Sequence, residues 1–338
     1  MEWSGKVVLI TGGTGSFGQA FTRLLLREEI GAIRIFSRDE YKQSEMQRRF
    51  SDDRLRFFIG DVRDADRLHR ALDGVNFVVH AAALKQVPAC EYNPLEAVKT
   101  NVLGAANVIS ASIDRNVERV MALSTDKAAN PVNLYGATKL CAEKLAIQGN
   151  SYAGAHPTRF ACVRYGNVVA SRGSIVPLLF EQRGSGRVTL TDPRMTRFWI
   201  TLDQAAQFVK RCIERMNGGE LFVPKMPSVR ITDLVKAIAP SARVEQIGIR
   251  SGEKLHEVLV TVDESRHTYD HGDHYLIEPE HPWWRSDATV VSRTPDDEFV
   301  YSSDRNTEWL TVEQISAALP RAVQEAMLAD AYAPSVAD

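Results

Sequence analysis

The sequence predicts an α/β protein in which helices cover both faces of a parallel sheet. Through the first half of the chain, short apolar runs alternate with longer amphipathic stretches. The strand candidates are KVVLIT (6–11), AIRIFS (32–37), LRFFIGD (55–61), NFVVHAA (76–82), RVMALST (119–125) and RFACVRY (159–165). This alternation of strand and helix is the βαβ pattern of a parallel sheet, which needs a helical crossover between successive strands.

The regular alternation persists to about Tyr165, after which the segments shorten and Pro and Gly become more frequent. We therefore expect two units: residues 1–165 form the main sheet, and residues 166–330 mainly form a smaller C-terminal lobe. No linker-like run separates them. The two units are accordingly expected to share an interface and to exchange segments.

Composition places the chain among ordinary globular proteins and excludes several classes of partner. The chain has 338 residues, of which 44% are hydrophobic and 25% are charged, and its formal net charge is −2. Without an overall basic field, we expect neither nucleic acid nor an anionic membrane as a partner. The N-terminal apolar run is too short for a signal peptide, and cysteines and histidines lack metal-type spacing. A cytoplasmic protein with reduced thiols and no metal is expected.

A glycine-rich turn follows the first predicted strand and precedes a helical pattern. In LITGGTGSFGQAF, Gly12, Gly15 and Gly18 have the spacing GxxGxxG. Glycines at such a turn let a pyrophosphate approach the backbone at a helix N-terminus, where free N–H groups favour anions. The context predicts a Rossmann doubly wound sheet with a dinucleotide loop formed by Gly12, Thr14, Gly15, Ser16, Phe17 and Gly18.

The end of the second strand favours NADP over NAD. An acidic residue usually binds the adenosine ribose of NAD at this point, but here Ser37, Arg38 and Lys42 offer a hydroxyl and two cations to a 2′-phosphate. A second interpretation is that Arg38 and Lys42 are solvated and that Asp39 or Glu40 serves NAD. The other residues predicted to line the cofactor are Asp61, Val62, Ala81, Ala82 and Ala83.

Tyr135 and Lys139 form a YxxxK pair at the start of a helical pattern, so both side chains lie on one face, one turn apart. Beside a nicotinamide, the Lys139 ammonium lowers the pKa of the phenol and makes tyrosinate a base toward a substrate hydroxyl. Thr125 ends the apolar strand just upstream. The pair becomes specific when it is combined with the glycine loop and the parallel-sheet pattern.

These motifs together resemble the extended short-chain dehydrogenase/reductase family. Within it, Thr125-Asp126-Lys127 is similar to the short soluble UDP-N-acetylglucosamine 4,6-dehydratases that invert C5. Enzymes that retain the C5 configuration carry Thr-Asp-Glu instead. Four further segments carry the same resemblance: AAALKQVPACEYNP (81–94), RYGNVVASRGSIVP (164–177), DPRMTRFWIT (192–201) and RSGEKLHE (250–257).

The resemblance implies a role for each residue of the reactive segment. Tyr135 would take the proton of the 4-hydroxyl while C4 is oxidised, and the resulting ketone acidifies the hydrogen on C5. Lys127 would remove that hydrogen as a proton, and Asp126 would protonate the departing 6-hydroxyl. The hydride returns to C6, so NADP is not consumed, and reprotonation of C5 from the opposite face gives inversion.

The resemblance also implies a nucleotide-sugar site in the C-terminal half. Asn167 and Arg250 would bind the diphosphate, and Glu253 would accept from the uridine ribose. Thr191 and Arg197 would line the same lobe, and Lys85 would approach the sugar or the nicotinamide. The family further implies a homo-oligomer.

Three other functions remain open at this point. A nucleotide-sugar 4-epimerase would leave Asp126 and Lys127 without chemistry, and a dehydratase forming a 5,6-unsaturated sugar would differ only in whether hydride returns to C6. A non-catalytic NADP sensor has no use for acid and base groups. Asp126 and Lys127 as a solvated surface pair would be the structural alternative to all of these roles.

Overall fold

The fold is given by a computed structural model that describes residues 3–169, 171, 174–281, 284, 292–293 and 298–330. All six predicted strands form: β1 Val7–Thr11, β2 Ala32–Ser37, β3 Leu55–Ile59, β4 Phe77–His80, β5 Arg119–Leu123 and β6 Arg159–Val163. Between them lie α1 Ser16–Leu25, α2 Glu40–Phe50, α3 Ala65–Ala71, α4 Val87–Tyr92, α5 Pro94–Val98, a π-helix Lys99–Leu103, α6 Gly104–Asp114 and α7 Leu134–Tyr152.

The six strands are parallel and lie in the order β3-β2-β1-β4-β5-β6. This is the Rossmann order, so the predicted fold class is confirmed. The order reverses between β1 and β4, where Thr11 is paired with His80. Ligands of open α/β sheets bind at such a switch point, beyond the carboxyl ends of the strands. The glycine loop and the Thr125–Lys127 segment both start at this edge.

Continuous apolar runs make these strands stable only when both faces are covered. In β1, Val8, Leu9 and Ile10 are completely buried, and they share one core cluster with the equally buried Phe21 and Leu25 of α1. Burying each such side chain contributes about 1.5–3 kcal/mol relative to leaving it in water. The helices therefore hold the carboxyl edge of the sheet in place.

The chain after residue 165 contributes to both the main sheet and a second lobe. Strand β9 extends the sheet beside β6, and β14, β13 and β15 continue it antiparallel. The pairs β7–β11, β8–β10 and β12–β16 lie outside it. The elements are α8 Ile175–Arg183, β7 Arg187–Leu190, β8 Thr196–Phe198, α9 Leu202–Arg215, β9 Leu221–Pro224, β10 Ser228–Arg230, α10 Ile231–Ile238, β11 Arg243–Gln246, β12 Val258–Val260, a 3₁₀ turn Ser265–His267, β13 Thr268–Asp270, β14 His274–Ile277, β15 Ser292–Arg293, β16 Tyr301–Ser302 and α11 Val312–Asp330.

The two longest helices in the described part of the chain are α7 and α11, with 19 residues each. Across the described ranges, no helix combines the length and the apolar character needed to cross a bilayer.

Candidate active site

The glycine loop has the geometry of a dinucleotide cradle. Gly12 adopts φ +64°, and a Cβ there would come within 3.0 Å of the backbone of Ala82 on the neighbouring strand end. The N–H of Gly15 donates to the carbonyl of Gly12 at 2.9 Å, which closes the turn ahead of α1. The N-cap residue of α1 is Gly15, which has no side chain to cap the helix. The loop and the first turn of α1 line one cavity, and their amides fit a pyrophosphate.

Thr11 holds the backbone of residues 81 and 82, which lies opposite the glycine loop. Its hydroxyl accepts from the N–H groups of Ala81 and Ala82 at 3.1 and 3.2 Å, and it lies 2.8 Å from Nδ1 of His80. Burial lowers the pKa of His80 to about 3, so the ring is neutral. These contacts hold residues 81–83 against the cavity.

Asn101 is a buried polar residue that sequence reasoning missed. It lies in the π-helix, and its amide exchanges hydrogen bonds with the backbone N–H and carbonyl of Leu84 at 2.8 and 2.9 Å. The same Nδ2 donates to Thr138 on α7 at 3.0 Å. Asn101 thus ties the loop after β4 to the helix that carries the YxxxK pair. A π-turn, which often marks a functional site, leaves too weak a sequence signal to be predicted.

The residues predicted to bind a 2′-phosphate lie together at the end of β2, and their charges are paired. Arg38 lies 3.6 Å from the Asp61 carboxylate, and Lys42 lies 2.9 Å from Asp39. The side chains of both cations are about half exposed, at 54% and 41%, so neither ion pair is worth much in water. The Ser37 hydroxyl accepts a hydrogen bond from Nε2 of Gln43 on α2 at 3.0 Å.

Asp61, which was predicted to line the cofactor, is bound mainly by Arg63. Arg63 donates to its carboxylate through the backbone N–H, Nε and Nη2, at 2.9, 2.9 and 2.7 Å. Burial alone would raise the pKa of Asp61, but the Arg63 hydrogen bonds lower it below the ordinary value. The carboxylate is therefore a fixed negative charge beside Arg38.

Tyr135 and Lys139 both lie in the first half of α7, as predicted. Asn133 caps the helix by accepting from the N–H of Gly136 at 2.8 Å. A Cβ on Gly136 would lie 2.1 Å from the carbonyl oxygen of Lys127, so only glycine lets the first turn pack directly on the reactive segment. Lys139 donates to the carbonyl of Leu123 at 2.6 Å, and burial lowers its pKa.

The Tyr135 phenol lies at the cavity wall among charged neighbours. Burial raises its pKa to about 12, while the nearby Lys127 ammonium and a hydrogen bond with Thr125 act in the opposite direction. The phenol therefore needs further positive charge to ionise near neutral pH. The Lys127 ammonium stabilises the Tyr135 phenolate. The charge of Lys127 therefore affects the ionisation of Tyr135, and both residues are predicted to act on the sugar.

Lys127 is the centre of a polar cluster. Its Nζ lies 3.0 Å from Oδ1 of Asp126, 3.2 Å from Oδ1 of Asn167 and 3.4 Å from Oε1 of Glu257. Burial would lower the pKa of Lys127, but Asp126 and Glu257 outweigh burial and raise the pKa above the ordinary value. Lys127 lines the cavity and is an ammonium in this state, rather than half of a solvated surface pair.

Asp126 lies behind the cavity wall rather than on it. Its side chain is completely buried, and its Oδ1 accepts from the Thr125 hydroxyl at 2.9 Å as well as from Lys127. Its Oδ2 has no hydrogen-bond partner among the described residues. Burial, followed by the nearby charge of Glu257, raises the pKa of Asp126. The group can therefore hold a proton at higher pH than an exposed aspartate.

Glu257 is the second residue that sequence reasoning missed. It is buried at 3% exposure, lines the cavity and lies 3.7 Å from Nε of Arg197. Arg197 was predicted as a lining residue; its guanidinium also donates to the carbonyls of Thr196 and Leu255 at 2.7 and 3.0 Å. Glu257 is the last residue of the RSGEKLHE segment and lies directly before the apolar strand β12, but the sequence alone predicted no role for it.

The segment 250–257 of the second lobe is attached to the reactive segment. Asn133 donates to the carbonyl of Gly252 at 2.8 Å, and Lys254 donates to the carbonyl of Ala129. Arg250 is exposed, and its N–H lies 3.4 Å from the Glu253 carboxylate. Residues 170, 172 and 173 of the RYGNVVASRGSIVP segment lie outside the described residues.

One cavity of about 860 Å³ connects these groups. This is near the upper end of the roughly 300–1,000 Å³ that small-molecule sites occupy. All predicted site residues line it except Asp126. The lining includes, in chain order, Gly12, Thr14, Gly15, Ser16, Phe17, Gly18, Ser37, Arg38, Lys42, Asp61, Val62, Ala81, Ala82, Ala83, Lys85, Thr125, Lys127, Tyr135, Lys139, Asn167, Thr191, Arg197, Arg250 and Glu253.

Comparison with known proteins bears on what this cavity serves. A UDP-N-acetylglucosamine 4,6-dehydratase (inverting) of Campylobacter jejuni subsp. jejuni serotype O:23/36 is 49% identical over 93% of this chain and 97% of its own. A UDP-glucose 4-epimerase of Rickettsia canadensis is 45% identical over 80% of this chain and 82% of its own. The X-ray structure of Pen from Bacillus thuringiensis superposes with a TM-score of 0.88 at 36% identity, covering 95% of this chain and 99% of that one.

A family model described as polysaccharide biosynthesis protein matches residues 8–279. The resemblance predicted from the motifs is confirmed by this match and by the dehydratase relative. Because the family model spans most of the chain, this protein belongs to the polysaccharide biosynthesis protein family.

Proposed function

We propose that this chain is a UDP-N-acetylglucosamine 4,6-dehydratase that inverts C5 and forms UDP-2-acetamido-2,6-dideoxy-β-L-arabino-hexos-4-ulose. The observation that carries the proposal is Lys127 at the cavity wall, hydrogen-bonded to Asp126 and close to Tyr135. A lysine here gives an amine base within the site, and the 49% identical relative bears the name of this activity.

The glycine loop, the N-terminus of α1 and Lys139 would hold a nicotinamide dinucleotide, which supplies the acceptor and later the donor of a hydride. In the first step Tyr135, as phenolate, takes the proton of the 4-hydroxyl. Because burial raises its pKa to about 12, the phenolate must be favoured by positive charge at the site. Activity should therefore fall as pH decreases and the phenol is protonated.

Elimination requires a neutral amine as the base and a carboxylic acid as the proton donor. The ion pair between Lys127 and Asp126 becomes such a pair when one proton moves from the lysine to the aspartate. Moving a proton across their 3.0 Å hydrogen bond gives a neutral amine and a carboxylic acid. The amine removes the proton from C5, which the C4 ketone has made acidic. The raised pKa of Asp126 favours the acid form. Lys127 ends this step as an ammonium.

Because Asp126 lies behind the wall, its proton needs a carrier to reach the 6-hydroxyl. Thr125 is suitably placed, since its hydroxyl is bonded to Asp126 at 2.9 Å and lines the cavity. In our proposal Asp126 donates to Thr125 and Thr125 donates to the departing hydroxyl, so water leaves. Thr125 thereby has a role in both half-reactions, through Tyr135 and through Asp126.

The remaining substrate contacts follow the same proposal. Arg250 and Asn167 bind the diphosphate, and Glu253 accepts from the uridine ribose. Thr191, Arg197 and Lys85 complete the sugar side of the cavity. Residues 1–165 bind the cofactor and carry the chemistry, while residues 166–330 mainly bind the nucleotide sugar.

A cytoplasmic homo-oligomer is part of the proposal. Tyr92, Leu95 and Leu103 on α4, α5 and the π-helix are 88%, 71% and 53% exposed. Large apolar side chains that lie close along the chain and remain in water favour a covering partner.

We assign NADP as the preferred cofactor, because Arg38 and Lys42 lie where the 2′-phosphate would be. Each charge-assisted contact contributes about 1.5–3 kcal/mol when desolvated, and less at exposed sites. Arg38→Ala should therefore raise the Kd for NADP about tenfold in calorimetric titration while the Kd for NAD stays unchanged. If NADP affinity is unaltered, or the purified protein carries NAD, the assignment is wrong.

The second candidate function is a 4-epimerase, which the 45% identical relative favours by name. Epimerisation at C4 requires Tyr135 and its cofactor, but it gives the buried cluster of Asp126, Lys127 and Glu257 no proton to move. Burying those charges without a function is unfavourable. We therefore rank the epimerase below the dehydratase.

A product assay with UDP-N-acetylglucosamine separates these functions. Loss of one water in the mass spectrum supports a dehydratase, an unchanged mass with a new isomer supports an epimerase, and no turnover supports a sensor. The NMR spectrum of a dehydrated product then distinguishes a C6 methyl group from the methylene of a 5,6-unsaturated sugar.

A further inference from the structure

Glu257 is a buried carboxylate that faces Lys127 from the second lobe and to which no motif assigned a role. Its Oε1 lies 3.4 Å from Nζ of Lys127 and 3.7 Å from Nε of Arg197. Its Oε2 is buried and has no hydrogen-bond partner among the described residues. A half-satisfied buried charge is unfavourable for folding, so its presence at a cavity wall points to the reaction rather than to stability.

The backbone holds this carboxylate on a rigid element. The N–H of Glu257 donates to the Ser303 hydroxyl at 2.9 Å, and the N–H of Ser303 donates to the carbonyl of Glu257 at 2.8 Å. The next residues pair β12 with β16. The distance from Glu257 to Lys127 is thus set by the packing of the two lobes, not by a free loop.

Charged groups face the Lys127 amine from every element around it. Asp126 approaches from the same segment, Glu257 and Arg197 approach from the second lobe, and Tyr135 approaches from α7. Lys254 is a further cation coupled to the cluster. The Lys127 amine nevertheless lies between the carboxylates of Asp126 and Glu257, at 3.0 and 3.4 Å. A negative charge at such a distance raises the pKa of an ammonium by roughly 1–3.

We propose that Glu257 is a positioning residue which, together with Asp126, keeps the proton taken from C5 on Lys127. This inference rests on the proposed function. When the C5–H bond breaks, the proton binds Nζ and the electron pair moves into conjugation with the C4 ketone, before the C6–O bond breaks. An ammonium between two carboxylates is a weak acid, so it does not return that proton to the same face. C5 is later protonated from the opposite face by a water-derived proton, and the product is inverted.

The inference predicts two effects of Glu257→Gln. Lys127 acts as the base only while it shares a single proton with Asp126, so kcat rises with pH through the pKa at which this pair loses its other proton. Glu257 raises that pKa, so in Glu257→Gln the rising limb of kcat should move to lower pH by about 1–3 units. The ammonium also becomes a stronger acid, so part of the product should retain the C5 configuration.

The experiment compares three variants with the wild type, measuring the pH profile of kcat and the C5 configuration by NMR. Glu257→Gln removes the charge, and Glu257→Asp keeps the charge but withdraws it. Glu308→Gln is the matched control, because Glu308 is exposed on the same lobe. We expect the rising limb of kcat to shift strongly in Glu257→Gln, less in Glu257→Asp and not at all in Glu308→Gln.

If Glu257→Gln keeps the wild-type limb and gives a fully inverted product, the inference is wrong while the proposed function stands. If the wild type releases no water from UDP-N-acetylglucosamine, the proposed function itself fails. Should circular dichroism show that Glu257→Gln does not fold, Glu257→Asp decides. An unmoved limb and full inversion in that variant would equally overturn the role of Glu257.

Discussion

Tyr135→Phe is expected to lower kcat about 10²–10⁴-fold, the usual contribution of a general base, while the affinity for cofactor and substrate stays near wild type. The phenyl ring keeps the shape of the side chain but has no oxygen to accept the 4-hydroxyl proton. Oxidation at C4 should then fail, so no absorbance of reduced nicotinamide should appear in stopped-flow measurements.

Tyr165→Phe is a suitable control for that experiment. Tyr165 is a second buried tyrosine lining the same cavity, and the proposed mechanism gives it no proton to carry. Its variant should retain turnover within a few fold. Wild-type turnover in Tyr135→Phe would remove Tyr135 from the mechanism.

Lys127→Arg is expected to abolish water loss while allowing oxidation at C4. Arginine keeps a positive charge between Asp126 and Glu257 and beside Tyr135, but its guanidinium cannot lose a proton in a protein. Dehydration should fall by at least about 10²–10⁴-fold. Reduced nicotinamide should accumulate when substrate is added, because the two half-reactions are separated.

Lys127→Ala provides the matched comparison. It also removes the base, but it leaves the buried Asp126 carboxylate without the Lys127 cation and takes one cation from Glu257, so a loss of stability of about 3–5 kcal/mol is expected. Oxidation at C4 should require higher pH than in Lys127→Arg, because Tyr135 has lost the cation that lowers its pKa. If either variant dehydrates at the normal rate, Lys127 is not the C5 base.

The sequence predicted the fold and most of the cavity lining because both follow from local pattern. Apolar runs fixed the six parallel strands, and Gly12 and the YxxxK pair lie at fixed distances from strand and helix starts. A parallel sheet brings the carboxyl ends of its strands to one edge, so residues after different strands had to meet there. The Thr125–Lys127 segment follows β5 and lies at this edge for the same reason.

The role of Glu257 and the burial of Asp126 could not be predicted from the sequence, because both depend on contacts between segments that are distant in the chain. Glu257 is 130 residues from Lys127 in the chain, and only the packing of the second lobe brings the carboxylate to the amine. Asp126 and Lys127 are adjacent in sequence, yet one lies behind the wall and the other on it. Gly136 lets α7 pack directly on the backbone of Lys127. Residue spacing in the sequence does not predict which side chain such packing buries.

The most direct test of the account is the C5 configuration of the product formed in deuterated water. If Lys127 removes the C5 proton and a solvent-derived proton returns to the opposite face, NMR should show one deuterium at C5 of a sugar with the L-arabino configuration. A D-xylo product, or a product without deuterium at C5, would contradict the proposed inversion even if water loss were established.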